Sequence, residues 1–286
     1  MAVYDQTYVP WAGTYAPRWR RVAAIVSSDL AQPFRNRWIR LILILTFVIG
    51  GGWLILLFFA ASAQTMPPMV AGNRLYRDGF FNFPLVPVVL GVLSATVGAP
   101  LVARDLRYNA LLMYFSRAIT RADYVAGKFI ALALFMLLAT LGPALLLFLG
   151  QMGMGSDKLH WSDRLADLGA VTVHSLIVAV PMSAAALAFS SLTRRATVAA
   201  ILWTSFYFAT MIVSEILKRL LHEGWCEMIS WTNLTSHLAN YVYAPRPAPK
   251  PVLDCGWLEP LAILVSVTVL SLAIVWRNIK AVEVRE

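Results

Sequence analysis

Apolar residues along this chain gather into six blocks, at residues 41–63, 83–103, 129–150, 168–190, 196–214 and 258–276. The segments between them carry almost all of the charge. Each block matches the ~20 residues a helix needs to cross a hydrocarbon core. Backbone groups in lipid must bond within their own segment, so such blocks are expected to be helices. The fifth block is the shortest reading. The sixth opens with Glu259 and is bracketed by Trp257 and Trp276, side chains suited to the two membrane interfaces. The expected fold is all-α: a polytopic membrane protein with six transmembrane helices.

Composition supports this and excludes a soluble domain. Of 286 residues, 59% are hydrophobic and only 14% charged, and the mean hydropathy is +0.67. That charge is too little to cover the surface of a soluble protein this long. No Pro/Ser-rich linker divides the chain. We expect an N-terminal tail over residues 1–38, one membrane domain over 39–276 and a tail over 277–286. The tail contains no apolar run suited to a signal peptide, and Arg18, Arg20, Arg21, Arg35 and Arg37 punctuate it.

Charge sets the orientation. The tail before the first block, the segments after the second and fourth, and the C-terminal tail hold sixteen of the 24 Lys and Arg. Basic residues stay inside, so both termini are expected to be cytoplasmic in the cell (inner) membrane. The net charge of +9 then reads as orientation and attraction to anionic lipid rather than nucleic-acid binding. Cys226 and Cys255 both fall in the outer segment between the fifth and sixth blocks. They read either as a disulfide closing that loop or as two free thiols.

Ionisable side chains are nearly missing from the blocks. Only His174 stands inside the fourth, either on a substrate path or as a neutral histidine bonded to a neighbouring helix. Ion-coupled transporters usually keep such groups near the midplane, so a secondary transporter is disfavoured. No metal-ligand spacing relates His160, His174, His222 and His237, so no metal site is expected. Gly127-Lys128 is followed by Phe129, and Ala122 stands where a phosphate loop needs glycine. The chain has no expected catalytic residue. Small residues recur instead, at Gly50–Gly52, at Gly91, Ala95 and Gly98, and at Ala184–Ala186 and Ala188. They allow close helix approach, either in a dimer seam or inside the bundle.

Two charged segments are amphipathic. Residues 18–31 place Trp19, Val22, Ala23, Val26 and Leu30 on one helical face and Arg18, Arg20 and Arg21 largely on the other. This predicts a helix at the inner interface, with Trp19, Arg20 and Arg21 meeting the membrane surface and Pro33 limiting it. Residues 104–128 carry apolar bulk (Leu106, Leu111, Leu112, Tyr114, Phe115) among Arg104, Arg107, Arg117, Arg121 and Lys128. A short helix, a break at Ser116-Arg117 and a second start near Thr120 are expected. Such an element suits either a protein partner or lipid.

This second segment resembles the signature loop of ABC-2 type permeases. The resemblance rests on Arg104-Asp105, Asn109-Ala110-Leu111-Leu112, Tyr114, Ser116-Arg117, Ile119-Thr120-Arg121, Asp123-Tyr124 and Gly127-Lys128. Asn109 stands where many members have glycine, and Ala118 where proline is common. The resemblance implies an ATP-driven exporter whose ABC ATPase is a separate subunit that binds ATP and Mg. This chain itself would carry no cofactor and no ATPase activity. It implies that a coupling helix within 104–125 docks on that subunit, through Leu106, Leu111, Leu112, Tyr114, Phe115, Arg117 and Arg121. It implies a permease homodimer or pseudo-dimer, and a segment before the last span that re-enters the outer leaflet, here 216–221 and 228–243. The rivals are a non-transporting scaffold that uses the same docking loop, and a membrane-embedded lipid enzyme.

Overall fold

A computed structural model describes residues 17–62, 75–116, 119–153, 161–221, 224–243 and 256–279. Among these residues the chain is helical throughout. In order come α1 (Arg18–Arg35), α2 (Arg37–Ser62), a π-helical turn (Leu75–Phe81), α3 (Leu85–Arg107) and α4 (Ala110–Phe115). They are followed by α5 (Arg121–Gly153), α6 (Trp161–Ser191), α7 (Ala196–Leu221), a 3-10 turn (Gly224–Ile229), α8 (Trp231–Val242) and α9 (Leu258–Asn278). Helices α2, α3, α5, α6, α7 and α9 are long and apolar enough to cross a membrane, and they coincide with the six blocks. The protein is an all-α polytopic membrane protein.

The spans are not equivalent. In α3 and α6, 67% of the apolar window is buried, against 22%, 17% and 22% in α2, α7 and α9. Helices α3 and α6 therefore form the centre of the bundle, and the other three present most of their surface outward. Small residues make the centre possible. A Cβ on Gly91 would fall 2.6 Å from the Tyr207 ring, and one on Gly98 would fall 2.8 Å from Ala186. Ala184, Ala185, Ala186 and Ala188 are all buried. The stripes of α3 and α6 thus serve internal packing. In α2, Gly50 packs on Pro143 of α5, whereas Gly51 and Gly52 meet nothing.

Several polar groups inside the bundle are satisfied helix to helix. The Trp203 indole of α7 donates to Ser94 of α3 across 2.8 Å, and the Tyr207 hydroxyl donates to the Pro87 carbonyl across 3.0 Å. The Ser190 hydroxyl of α6 donates to the Ala99 carbonyl and accepts from the Val102 and Ala103 amides. This cross-link lies beside Pro100, which interrupts the hydrogen-bond ladder of α3.

After α7 the chain turns back. Ser214 donates to the carbonyl of Cys226, and five residues later the Trp231 ring meets Trp203 edge-on at 6.1 Å. Thr232 and Asn233 in turn meet Tyr207 and Ser214, so the returning chain packs along this stretch of α7. Helix α8 then runs back outward, and Arg77 holds it by donating to Asn240 while paired with Asp78. Residues 228–243 thus re-enter the bundle. Residues 216–221 do not; they continue α7 to its end at Leu221, because the apolar helical pattern runs on without a breaker.

Helix α1 also departs from expectation. It passes through Pro33 and ends at Arg35. A proline so near the C-terminus costs one bond, and the Asn36 amide closes the last turn on the Pro33 carbonyl at 3.1 Å. Its buried stripe is Ile25, Asp29 and Pro33, one position round from the apolar face expected to meet the membrane. That stripe lies on α5.

Candidate coupling site

The loop after α3 is built by two local devices. Helix α3 stops at Tyr108, and Asn109 takes a left-handed conformation, φ 52°. Glycine is the usual residue there because a Cβ is strained; asparagine is the next best tolerated. The substitution of glycine by Asn109 therefore keeps the turn. At the other end Thr120 and Asp123 cap α5 reciprocally: the Thr120 amide donates to the Asp123 carboxylate (3.2 Å) and the Asp123 amide to the Thr120 hydroxyl (3.3 Å). This is a capping box with aspartate at its third position. The second helical start near Thr120 is thus the start of α5 itself, which continues into the third span without a break.

Between these devices sits α4. Leu111 is turned inward and buried, and Tyr114 and Phe115 are half-buried, packing on the Tyr124 ring at 5.2 and 6.2 Å. Leu106 is half-buried as well. Three side chains project outward: Tyr108 at 71% exposure, Met113 at 58% and Leu112 at 48%. Arg121 is half-buried in the first turn of α5, and Arg117 lies outside the described residues. The six-residue helix thus anchors one face on the bundle and offers an apolar tip on the other. Sequence pattern identified the segment and Leu112, but not the exposed Tyr108 and Met113. Helical phase, with Leu111 inward, is the signal that would have found Met113; Tyr108 lies before the left-handed Asn109 and outside that phase.

A charged cluster ties this tip to three helices. Lys128 of α5 is buried, with its ammonium 2.9 Å from Asp105 of α3 and 3.0 Å from Asp29 of α1. Tyr124 donates to Asp105 across 2.7 Å. Arg18, the first residue of α1, pairs with Asp123 at 2.5 Å. The Lys128 ammonium also lies 5.7 and 5.4 Å from the Tyr114 and Tyr124 rings. Asp29 is the poorly served member, since its Oδ2 makes no hydrogen bond of good geometry. Burial pushes the Asp29 carboxyl above its ordinary value, and Lys128 only partly offsets that.

Close approach of α1 depends on Gly127, where a Cβ would fall 2.8 Å from Ile25. Further along, Phe34 meets Phe135 edge-on at 5.5 Å. Contacts advance along α1 and α5 in the same sense, so the two helices pack in parallel. The dispersed polar positions of the loop, Asp105, Asp123, Tyr124 and Gly127-Lys128, therefore converge on one joint.

The other candidate residues lie elsewhere. Trp19 is 66% exposed with the Arg20 guanidinium 5.2 Å over its ring, while Arg21 is half-buried. Cys226 is a buried free thiol, and Cys255 lies outside the described residues. His174 is buried, stacks 3.9 Å from Phe81 and approaches the Tyr243 hydroxyl at 3.4 Å. It lines a cavity of about 20 Å³ with Trp231, whose indole N–H has no protein acceptor. That volume suits a water molecule rather than a substrate.

Fold and site define a class: a six-span helical membrane protein whose loop between the second and third spans is braced by a buried charged cluster. The chain belongs to the ABC-2 family transporter proteins, whose family model matches residues 23–238. It is accordingly the membrane subunit of an ABC transporter and not itself the ATPase, in a family that works with ABC ATPase partners. The matched region includes α4, the charged joint and all spans but α9. No curated protein matches the chain.

Proposed function

We propose that this protein is the permease of an ATP-driven exporter and that α4 docks on a separate ABC ATPase. The exposed apolar tip, Tyr108, Leu112 and Met113, carries this reading. Such side chains on a charged surface are stable when a partner groove covers them. Closure of the ATPase dimer would push α4, and the Lys128 joint would pass that motion to α1, α3 and α5 as one body. The outward-facing spans α2, α7 and α9 suit a second permease copy, and alternating access would then occur between the two bundles.

In this reading both termini and α4 are cytoplasmic, in the inner membrane, as the distribution of basic residues supports. Trp19, Arg20 and Arg21 lie at the membrane surface. Arg117 and Arg121 pair with acidic groups of the ATPase. The uncharged spans favour an apolar or amphipathic cargo, taken from the cytoplasm or the inner leaflet.

A tagged pull-down from solubilised membranes tests it. A stoichiometric ABC ATPase is expected. An intact, folded chain that brings down no ATPase would overturn the reading.

A further inference from the structure

Above the charged joint, α1, α3, α4 and α5 enclose a cavity of about 340 Å³. Its lining includes Asp29, Asp105 and Lys128, but these three are engaged with one another. What the cavity offers to an incoming molecule comes from the remaining polar side chains. Arg35 in the last turn of α1 and Arg104 in the last turn of α3 both line it. So do Ser28, Gln32 and the Tyr114 ring. Among the described residues, none of these five uses its polar side-chain atoms in a hydrogen bond or ion pair. The carboxylates of the cavity are thus held by Lys128, and its unengaged groups are two guanidinium forks, two hydroxyls and one amide.

The charge balance points the same way. The lining carries three cations against two carboxylates, and the lysine is neutralised internally. A molecule entering meets a surface of surplus positive charge with donors in fork geometry. That combination selects a phosphate, which guanidinium groups bind bidentately, over a cation or a neutral polar solute. The volume lies in the range of small-molecule sites and exceeds what a bare ion needs.

Depth in the fold puts the cavity where lipid phosphate is within reach. Arg35 stands two residues before α2 begins, and Arg104 stands three residues before α3 ends. Both mark the level at which apolar spans give way to charged loops, where lipid headgroups lie.

We propose that the cavity between α1, α3 and α5 is a binding site for a phosphate ester, held by Arg35 and Arg104, with the headgroup of an anionic phospholipid or a small soluble phosphate ester as its source. A ligand there bridges α1 to α3 beside the Lys128 joint and stiffens the element that α4 would move. The proposal does not depend on α4 docking an ATPase.

The test uses the full-length chain in nanodiscs of phosphatidylcholine with and without phosphatidylglycerol, released into native mass spectrometry. One phosphatidylglycerol retained per chain is expected. Arg35→Gln combined with Arg104→Gln should cut that retention at least tenfold, while Arg40→Gln, on an exposed arginine outside the cavity, should leave it unchanged. Thermal unfolding in pure phosphatidylcholine checks that the double variant is folded. A parallel arm titrates glycerol 3-phosphate into the phosphatidylcholine discs. Arginine-dependent binding in this arm alone would support the phosphate site and assign it to a soluble ester. Retention that survives the double variant, or no arginine-dependent binding in either arm, would overturn the proposal.

Discussion

Lys128 and Asp105 sit twenty-three residues apart along the chain, yet their charged atoms lie 2.9 Å apart, closing the loop at its base. The pair makes the segment between them a braced lever rather than a tether. Buried pairs of this kind add little net stability, because desolvation offsets the attraction, but they resist being broken.

Removing the lysine should therefore be severe. Lys128→Met leaves Asp29 and Asp105 facing each other without a cation. We expect a loss of about 3–5 kcal/mol, the usual cost of orphaning a buried charge. Adding Asp29→Asn should recover part of it, since only one carboxylate then lacks its partner. Thermal or denaturant unfolding in detergent measures both.

Gly127 sets the spacing of α1 and α5. Gly127→Val would drive side-chain atoms into Ile25, which is buried and cannot yield. A destabilisation of about 1–3 kcal/mol is expected from overpacking. Ile25→Ala in the same chain should relieve it, and equal unfolding midpoints for the single and double variants would contradict the packing described.

Asp29 predicts a pH effect with a definite sign. Its folded pKa lies above the ordinary 3.8 because burial disfavours the carboxylate. The folded chain therefore binds that proton more tightly than the unfolded chain. The resulting stability is full below 3.8 and is lost as pH rises through the folded value. Asp29→Asn should remove this loss, so its unfolding midpoint should fall less than that of wild type over the acidic range above 3.8.

Leu111 and Leu112 should separate folding from docking. Leu111 is 8% exposed and Leu112 48%. Leu111→Asp places a charge in the core and should lower the yield of folded protein. Leu112→Asp with Met113→Asp should leave folding unchanged and abolish ATPase co-purification and transport.

Much of this architecture was legible in the sequence. Six apolar blocks became six spans because lipid leaves a backbone no alternative to helix. The break between α4 and α5 was visible as an interruption in the apolar pattern, whereas the return of 228–243 was expected only from the family resemblance. The burial face of α1 was not. Hydrophobicity marked Trp19 and Ala23 for the membrane, and both are exposed on the protein; Asp29 is buried on the protein side because Lys128 meets it there. A charge that pairs across 99 residues leaves no local periodicity to detect. The role of small residues was similarly undetermined until Tyr207 and Ala186 were seen to fill the space beside Gly91 and Gly98.

The most direct test of the central claim is a photo-crosslinker at Met113, activated in intact membranes, with the adducts identified by mass spectrometry. The account predicts one dominant adduct, an ABC ATPase, lost when Leu112→Asp is added. Adducts with lipid alone, from a chain that is folded and membrane-inserted, would contradict it.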